Sequence, residues 1–386
     1  MSLVEGIILL ILESIVGLPW LVHERNRMLF DPLALPPLLT ADLPGIGGRL
    51  KTFPEDFEVD EIPAYEPSGQ GEFLFLRIEK RDMGAEYFQR QISHRLSIPI
   101  SEVGMAGLKD RHAVTRQIVS VPAQAECRLS KLEGDGIRLI SVNRHTNKLK
   151  SGHLRGNRFR VLVRDLAVEA QQRLQAILER IREFGLPNYY GLQRFGRDGE
   201  TVTAGLALLR GEPPPRTAQG QRANLRSPFL RKLALSAAQS ALFNYYLAQR
   251  LADGLLRKVL AGDVMAKWPS GGMFITEDLV REQERFDNRE TVHAGPMFGR
   301  KTFAASGEAA AREAAVLEQA GLTICSFNGF GKLLQGTRRH NVVYFDDLGA
   351  SFEPEGVRLT FTLPTGSYAT VLLREITKAD EVESSA

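Results

Sequence analysis

The sequence lacks the residue patterns on which most cofactor-dependent chemistry relies. Its 386 residues include only two cysteines, Cys127 and Cys325, which lie too far apart to form a metal-binding or redox motif. There is no GxxxxGK[ST] phosphate loop, no HExxH motif, and no GxGxxG segment between a strand and a helix. The seven histidines are scattered along the chain. We therefore expect no bound metal, no small-molecule cofactor, and a reducing compartment such as the cytoplasm.

Long hydrophobic runs are also scarce. The apolar residues 7–12 are flanked by Glu5 and Glu13, Gly17 and Pro19 follow, and no basic cluster precedes them. Such a run is too short to span a bilayer and has the wrong flanks for a signal peptide. We expect residues 1–44 to be an amphipathic or packed N-terminal extension, or the reading frame to begin at Met28, and we expect no membrane partner.

Acidic residues are missing from one long stretch. Between Asp135 and Asp165 there is no aspartate or glutamate, although the net charge of the whole chain is only +3. The same stretch carries eight cations: Arg138, Arg144, Lys148, Lys150, Arg155, Arg158, Arg160 and Arg164. A solvated basic face and a surface for a phosphate backbone are both consistent with this pattern. A second acid-free stretch, residues 213–252, includes Arg216, Arg222, Arg226, Arg231 and Lys232. Two basic surfaces suggest a cleft that binds folded RNA the size of tRNA.

What is present is an ordinary globular composition, with 43% hydrophobic and 25% charged residues. A chain of this length favours two domains. Alternation predicts strands near residues 57–60, 73–78, 118–121, 137–142, 158–164 and 357–363, and helical spacing predicts helices over 85–96, 174–181, 235–251 and up to Ile376. Strands and helices do not alternate as in a doubly wound fold. We therefore predict an α+β protein with a mixed, largely antiparallel sheet flanked by helices.

Asp110 is the most interesting single residue. It lies in the loop from Gly104 to Gln117, between Lys109 and Arg111, and Arg116 follows. These cations favour its ionised form, and we expect the glycines at 104 and 107 to permit turns that a side chain would forbid. Local sequence alone is more typical of a structural, salt-bridged aspartate. A catalytic role depends on features elsewhere in the chain.

Aromatic and amide side chains close to the basic tract supply such features. Phe57 follows Pro-Glu-Asp, and Phe159 lies two residues after Asn157. Taken alone, Phe159 is more typical of a core residue. Together, two phenyl rings could stack on a flipped base while Asn157 binds its edge, with Asp110 as the one acid. No second carboxylate for glycosidase-type hydrolysis is evident from the sequence.

Five segments of the chain together resemble the TruD family of tRNA pseudouridine synthases. They occur in the family's order: residues 51–57 (KTFPEDF), 106–113 (AGLKDRHA), 156–159 (GNRF), 188–196 (NYYGLQRFG) and 363–370 (LPTGSYAT). Tyr190 stands where many members of the family have phenylalanine. The resemblance covers residues 45 to 376 and implies the pseudouridine synthase catalytic fold with an inserted α/β domain, the TRUD domain.

The resemblance also implies roles and boundaries. Asp110 corresponds to the catalytic aspartate, Phe57, Asn157 and Phe159 to substrate-binding residues, and Lys51 to a basic residue that could pair with Asp110. We assign contacts to the RNA backbone to Arg144, Lys148, Lys150, Arg155 and Arg158. The implied domains are an extension (1–44), a catalytic domain in two parts (45–187 and 341–378), the insertion (188–340) and a tail (379–386).

The implied reaction converts a uridine of tRNA, usually position 13 in the D-arm, into pseudouridine without a cofactor. Asp110 would attack C1′ of the ribose or remove the C2′ proton, and the sequence leaves both routes open. A non-catalytic module that binds or folds tRNA, and a nucleoside hydrolase, are the alternatives. We expect the protein to be a monomer.

Overall fold

The computed structural model describes residues 29–213, 215–216, 225 and 227–379, and the architecture below is that of the unit that starts at Pro32. The expectations for residues 7–12 and Met28, for Arg222 and Arg226, and for most of the tail lie outside the described residues. No helix within these ranges has both the length and the apolar character needed to cross a membrane.

A nine-stranded sheet forms the centre of the protein, with the order β14-β15-β7-β2-β5-β3-β6, β1 beside β7 and β4 beside β5. Only the β2/β5 pair is parallel; every other pair of this sheet is antiparallel. The sheet is therefore mixed and largely antiparallel, as the sequence predicted. Its strands are β1 (Gly47–Arg49), β2 (Phe57–Pro63), β3 (Phe73–Arg81), β4 (Gly104–Met105), β5 (Val114–Pro122), β6 (Ile137–His145), β7 (Leu154–Leu166), β14 (Gly349–Glu353) and β15 (Gly356–Pro364).

Side-chain alternation explains which face of this sheet is buried. Along β7, Val161 and Val163 are fully buried, whereas Arg158 and Arg160 point to solvent, because successive side chains of a strand face opposite sides. Helix α1 (Ala85–Leu96) buries Phe88, Ile92 and Leu96 against apolar residues of β3 and β5. It ends at Ser97, which has a left-handed backbone, two residues before Pro99. Both ends of this helix match the sequence prediction.

Helices α2 (Ala170–Phe184) and α7 (Ala369–Thr377) pack against each other. Gly185 ends α2 with a positive φ of 76°, a conformation that favours glycine. Buried Glu375 of α7 binds the segment that precedes β1: its carboxylate accepts hydrogen bonds from the backbone N–H groups of Leu39 and Thr40, at 2.7 and 3.2 Å. Part of the N-terminal extension is thus attached to the C-terminal helix.

The chain leaves the main sheet and returns to it at one place. The two-residue strands β8 (Leu186–Pro187) and β13 (Val342–Val343) pair antiparallel, which fixes the two crossing points side by side. Between them lies a second sheet of order β10-β9-β11-β12, packed with helix α4. Its elements are α3 (Glu200–Arg210), α4 (Pro228–Ala252), β9 (Val264–Lys267), β10 (Met273–Ile275), α5 (Leu279–Asp287), β11 (Thr291–Met297), α6 (Gly307–Gln319) and β12 (Thr337–His340). The crossing points are compatible with the proposed boundaries of the insertion, which remain a prediction.

Candidate active site

A row of buried side chains crosses the main sheet and includes a lysine, Lys80. The strand register places one residue of each of five adjacent strands side by side. From β3 to β15 these residues are Lys80, Thr115, Val59, Phe159 and Phe361. All five are buried, and Lys80 and Thr115 have no exposed surface. A buried lysine is uncommon because removing an ammonium group from water costs several kcal/mol unless it is compensated, ~2–7 even for neutral polar groups. The buried ammonium group of Lys80 therefore needs specific groups that compensate its charge.

The next row is polar and buried. Glu61 lies opposite Asn157 on β7, and both atoms of its carboxylate are used. One oxygen binds Lys109 Nζ at 2.6 Å and the other accepts the N–H of Ile118 at 3.1 Å. The side chains of Glu61 and Lys109 are only 1% and 5% exposed. Asn157 is half-buried, and its Oδ1 atom has no hydrogen-bond partner among the described residues.

Asp110 lies above this polar part of the sheet, held at both its side chain and its main chain. Lys51 Nζ is 3.2 Å from Asp110 Oδ2, so the two form an ion pair. Lys80 Nζ donates a hydrogen bond to the backbone carbonyl of Asp110 at 2.9 Å. The Lys51 side chain is 5% exposed and that of Asp110 is 32% exposed. The carboxylate is thus open to a ligand on one side and backed by a buried cation on the other.

Lys51 reaches this position through an unusual backbone. Its φ is 55°, in the left-handed region, which costs an L-amino acid roughly 1–2 kcal/mol. Its ammonium also lies 4.4 Å from the centre of the Phe57 ring, which is the geometry of a cation–π contact. The ion pair that the sequence suggested between Lys51 and Asp110 is present in the structure. The backbone strain could not be read from the sequence, because a lysine is not a typical left-handed residue.

The glycines of the Asp110 loop do not have the role that we expected. Neither Gly104 nor Gly107 has a positive φ, so the expectation of special turns at these positions is wrong. Gly104 is required for close packing: a Cβ atom there would lie 2.3 Å from Ser120 Oγ and 2.5 Å from the carbonyl of Leu149. At Gly107 the nearest atom would be Lys109 Nζ at 3.6 Å, which is an ordinary contact.

The cations beside Asp110 in sequence are mostly engaged elsewhere. Lys109 pairs with Glu61, and Arg116 pairs with carboxylates of β2 and β3, at 2.9 Å from Glu58 and 2.7 Å from Glu79. These two side chains therefore pair with carboxylates other than that of Asp110. Arg111 is exposed and makes no ion pair within the described ranges. Sequence neighbours were misleading here because residues on a strand and its adjoining loop face different directions.

The two phenylalanines contact each other. The rings of Phe57 and Phe159 pack edge to face, with centroids 6.1 Å apart, and Phe159 also stacks on Phe361 at 5.1 Å. Phe57 is 1% exposed and Phe159 is 8% exposed. The structure brings the rings together beside Asn157, but it does not hold them apart as the two walls of a slot. Phe159 is the ring nearer to the open part of the sheet, since Val161 beyond it is fully buried and Asn157 before it is not.

The acid-free stretch between Asp135 and Asp165 carries less unpaired positive charge in the structure than its sequence suggests. Four of its eight cations pair with carboxylates from other segments: Arg138 with Glu79, Arg144 with Glu126, Arg160 with Glu58 and Asp60, and Arg164 with Asp56. Neighbouring strands and two short 3-10 helices thus supply the acids that this stretch lacks. This weakens the assignment of Arg144 to the RNA backbone.

The other four cations of the tract make no ion pair within the described part of the chain. Lys148 donates to the carbonyl of Ser101, and Arg155 donates to that of Pro63 at 3.2 Å. Lys150 and Arg158 are exposed. Because no carboxylate of the described residues pairs with these four side chains, their positive charge is available to bind a polyanion.

The C-terminal and NYYG segments approach the same end of the sheet. Thr365 donates its N–H to the carbonyl of Arg155 at 3.0 Å, which places the turn after β15 against the start of β7. Arg339 joins this turn to the insertion, because its guanidinium donates to the carbonyl of Gly366 at 2.8 Å and to Asn188 Oδ1 at 2.7 Å. It also lies 4.0 Å from the centre of the Tyr190 ring. Segments that are distant in sequence therefore meet near Asn157.

Two residues of the site were missed in the sequence. Glu61 and Lys80 lie just beyond the strands predicted at residues 57–60 and 73–78 and were not singled out, but both are buried. A signal was present for Lys80: it follows Leu74, Leu76 and Ile78 at the two-residue spacing of the inward face. Groups of histidine, cysteine, aspartate and glutamate able to hold a metal are not found in the described ranges.

Comparison with known proteins identifies the family. The family model described as "TruD: tRNA pseudouridine synthase D (TruD)" matches residues 37–218 and 222–376. The chain is 46% identical over 348 residues to tRNA pseudouridine synthase D of Anaeromyxobacter dehalogenans, covering 89% of this chain and 97% of the relative. It is 41% identical to a protein of the same name from Thermus thermophilus, covering 90% and 93%.

A solved structure shares the fold. The crystal structure of a candidate tRNA pseudouridine synthase D from Methanosarcina mazei superposes with a TM-score of 0.71 at 23% identity, over 90% of this chain and 97% of that one. At this identity the match is evidence for the fold alone. The family model and the relatives together cover most of the sequence. The chain therefore belongs to the TruD family of tRNA pseudouridine synthases.

Proposed function

We propose that this protein isomerises uridine to pseudouridine in tRNA, at position 13 of the D-arm, with Asp110 acting at the ribose. The observation that supports this best is the ion pair between Asp110 and the buried Lys51 at 3.2 Å. Lys51 places a positive charge beside this carboxylate. Both chemical routes require a carboxylate at this position. Asp110 Oδ1 makes no hydrogen bond with the described residues, so it is the oxygen available for the reaction.

The reaction needs a single carboxylate and a means of retaining the base. The N1–C1′ bond breaks, the uracil turns, and its C5 atom bonds to C1′. C5 loses its proton and N1 gains one, so substrate and product are isomers. Asp110 either attacks C1′ and is displaced when C5 bonds there, or takes the C2′ proton and returns it in the second step. The geometry of the free protein is compatible with both routes. Holding the freed uracil next to C1′ makes the second bond-forming step effectively unimolecular. No redox step or energy input is involved.

We assign the base-binding role to Phe159, Asn157 and Phe57. In uridine the uracil carries one ring donor, N3–H, and the buried Asn157 Oδ1 atom is an acceptor without a partner among the described residues. The uracil ring would stack on Phe159, which Phe361 supports from behind at 5.1 Å. Phe57 supports the edge of Phe159 and contacts Lys51. Because Phe57 and Phe159 touch in the free protein, a base held between them would require these rings to separate.

For the RNA backbone, we assign contacts to Lys148, Lys150, Arg155 and Arg158, with a smaller part for Arg144 because it pairs with Glu126. We further propose that the protein acts in the cytoplasm, as a monomer, and without a small-molecule cofactor. A hydrolase is a weaker candidate, since Glu61, the carboxylate opposite Asn157 in the sheet, is buried and bound to Lys109. A non-catalytic tRNA-binding module remains an outcome of the test.

The test uses an unmodified tRNA transcript labelled with tritium at C5 of its uridines. We expect tritium release without free uracil, and we expect a transcript with cytidine at position 13 to bind but release none. Free uracil would indicate a hydrolase. Binding without any release would support the non-catalytic module, and release from the cytidine-13 transcript would refute position 13 as the target.

A further inference from the structure

Lys80 is fully buried, and its ammonium group is bonded only to main-chain atoms of the described residues. Its Nζ atom donates to the carbonyl of Asp110 at 2.9 Å and to the carbonyl of Met83. It makes no ion pair within the described ranges. The two carbonyls belong to different segments, the loop that carries Asp110 and the link between β3 and α1. One side chain thus joins the catalytic loop to the sheet and to the start of a helix.

The charged groups around Lys80 explain why the ammonium is tolerated there. Asp110 and Asp82 favour the charged form, while Lys109 opposes it. Asp82 in turn faces His112 at 3.0 Å, and Asp110 faces Lys51. On the sheet, Lys80 has the uncharged neighbours Thr115 on β5 and Ile137 on β6. Burial is the largest influence and lowers the pKa of Lys80 to about 8.

We propose that Lys80 is a positioning residue for the isomerisation, because its ammonium fixes the main chain at Asp110 so that the carboxylate stays in place beside Lys51. This inference rests on the proposed role of Asp110. A side chain that only filled space at this position would be apolar, since a buried ammonium costs free energy that a methionine of similar shape does not. Two hydrogen bonds to carbonyls retain the charge and direct it at one loop.

A consequence of this geometry is a dependence on pH. An uncharged amine has two N–H groups and donates less strongly than an ammonium, so loss of the proton weakens both hydrogen bonds. It also removes a positive charge near the Asp110 carboxylate. Turnover should therefore fall as the pH rises through about 8, the pKa of the buried amine, while tRNA binding changes little.

The experiment compares Lys80→Met, Lys80→Arg and the wild type in single-turnover tritium release between pH 6.5 and pH 9.5. At pH 7, we expect Lys80→Met to lose about 10²-fold in rate, the effect of a misplaced catalytic group, with the dissociation constant for tRNA unchanged. Any activity that Lys80→Arg retains should lack the decline near pH 8, because a guanidinium keeps its proton there.

The matched control is Lys378→Met. Lys378 is a partly buried lysine that also donates to a main-chain carbonyl, that of Thr40 at 2.7 Å, in a different part of the fold. We expect this variant to keep the wild-type rate and the wild-type pH profile. If Lys378→Met loses as much of its rate at pH 7 as Lys80→Met does, the inference is overturned. The loss of rate would then reflect general destabilisation.

Two results would refute the role of Lys80 directly. One is a folded Lys80→Met variant with the wild-type rate at pH 7. The other is a wild-type rate that stays constant to pH 9.5, which needs no variant and applies even if Lys80→Met does not fold. Asp110→Asn separates this failure from a failure of the proposed function. If Asp110→Asn retains activity, the proposed function fails as well. If Asp110→Asn is inactive while Lys80→Met is fully active, only the role of Lys80 is refuted.

Discussion

The buried ion pair between Lys109 and Glu61 provides the sharpest test of how the Asp110 loop is anchored. The perturbation is Glu61→Gln, which keeps an oxygen for the N–H of Ile118 but removes the negative charge that faces Lys109. The side chains of Lys109 and Glu61 are 5% and 1% exposed, so solvent screens the interaction very little. Removal of one partner of such a pair leaves an uncompensated buried charge, which costs about 3–5 kcal/mol.

The assay is urea-induced unfolding of Glu61→Gln, Lys109→Met and the double variant. We expect each single variant to lose about 3–5 kcal/mol in the free energy of unfolding and the double variant to lose much less than the sum, because it contains no unpaired charge. Lys109 precedes Asp110 directly, so each single variant should also slow tritium release. Single variants that lose less than about 1 kcal/mol, the value of an exposed pair, would refute the reasoning. So would a double variant that loses the full sum.

Three further predictions concern other contacts. Lys51→Met should slow turnover by roughly 10²-fold while tRNA binding stays constant; weaker binding with normal turnover would reassign Lys51 to the RNA backbone. Arg158→Ala should weaken tRNA binding and reduce the salt dependence of that binding by about one counterion. Arg164→Ala should instead mainly lower the unfolding temperature, because Arg164 binds the buried carboxylate of Asp56 at 2.8 and 2.9 Å. Burial lowers the pKa of His293 to about 3, so the unfolded state binds more protons between pH 3 and 6.5 and stability should fall on acidification through that range. An Asn variant of His293 should show a weaker acid dependence in urea titrations, and an unchanged dependence would exclude this histidine as the cause.

Sequence patterns predicted the main sheet best where more buried and more exposed residues alternate, as they do along β2 and β15. The strand that carries Phe159 and the helix that ends at Leu96 occur as expected. The strands of the insertion were not predicted. β11 is buried along its whole length, so it has no alternation to detect.

The site was only partly predictable, for a physical reason. Lys51, Asp110, Asn157 and Phe159 could be named from motifs, and the structure brings them to one end of the sheet. The carboxylates that pair with the cations could not be named from the sequence. This pairing depends on strand register between segments that are distant in sequence, as for Arg116 with Glu58, Asp60 and Glu79. Composition along the chain therefore overstated how much positive charge is free to meet RNA.

The most direct test of the central claim is single-turnover tritium release by Asp110→Asn, with binding of the same tRNA measured alongside. The substitution preserves the shape of the side chain and removes the charge that faces Lys51. We predict no release above the background without enzyme and a dissociation constant close to that of the wild type. Release at a rate near that of the wild type, from a variant confirmed by mass to contain asparagine, would contradict the assignment of Asp110 as the catalytic residue.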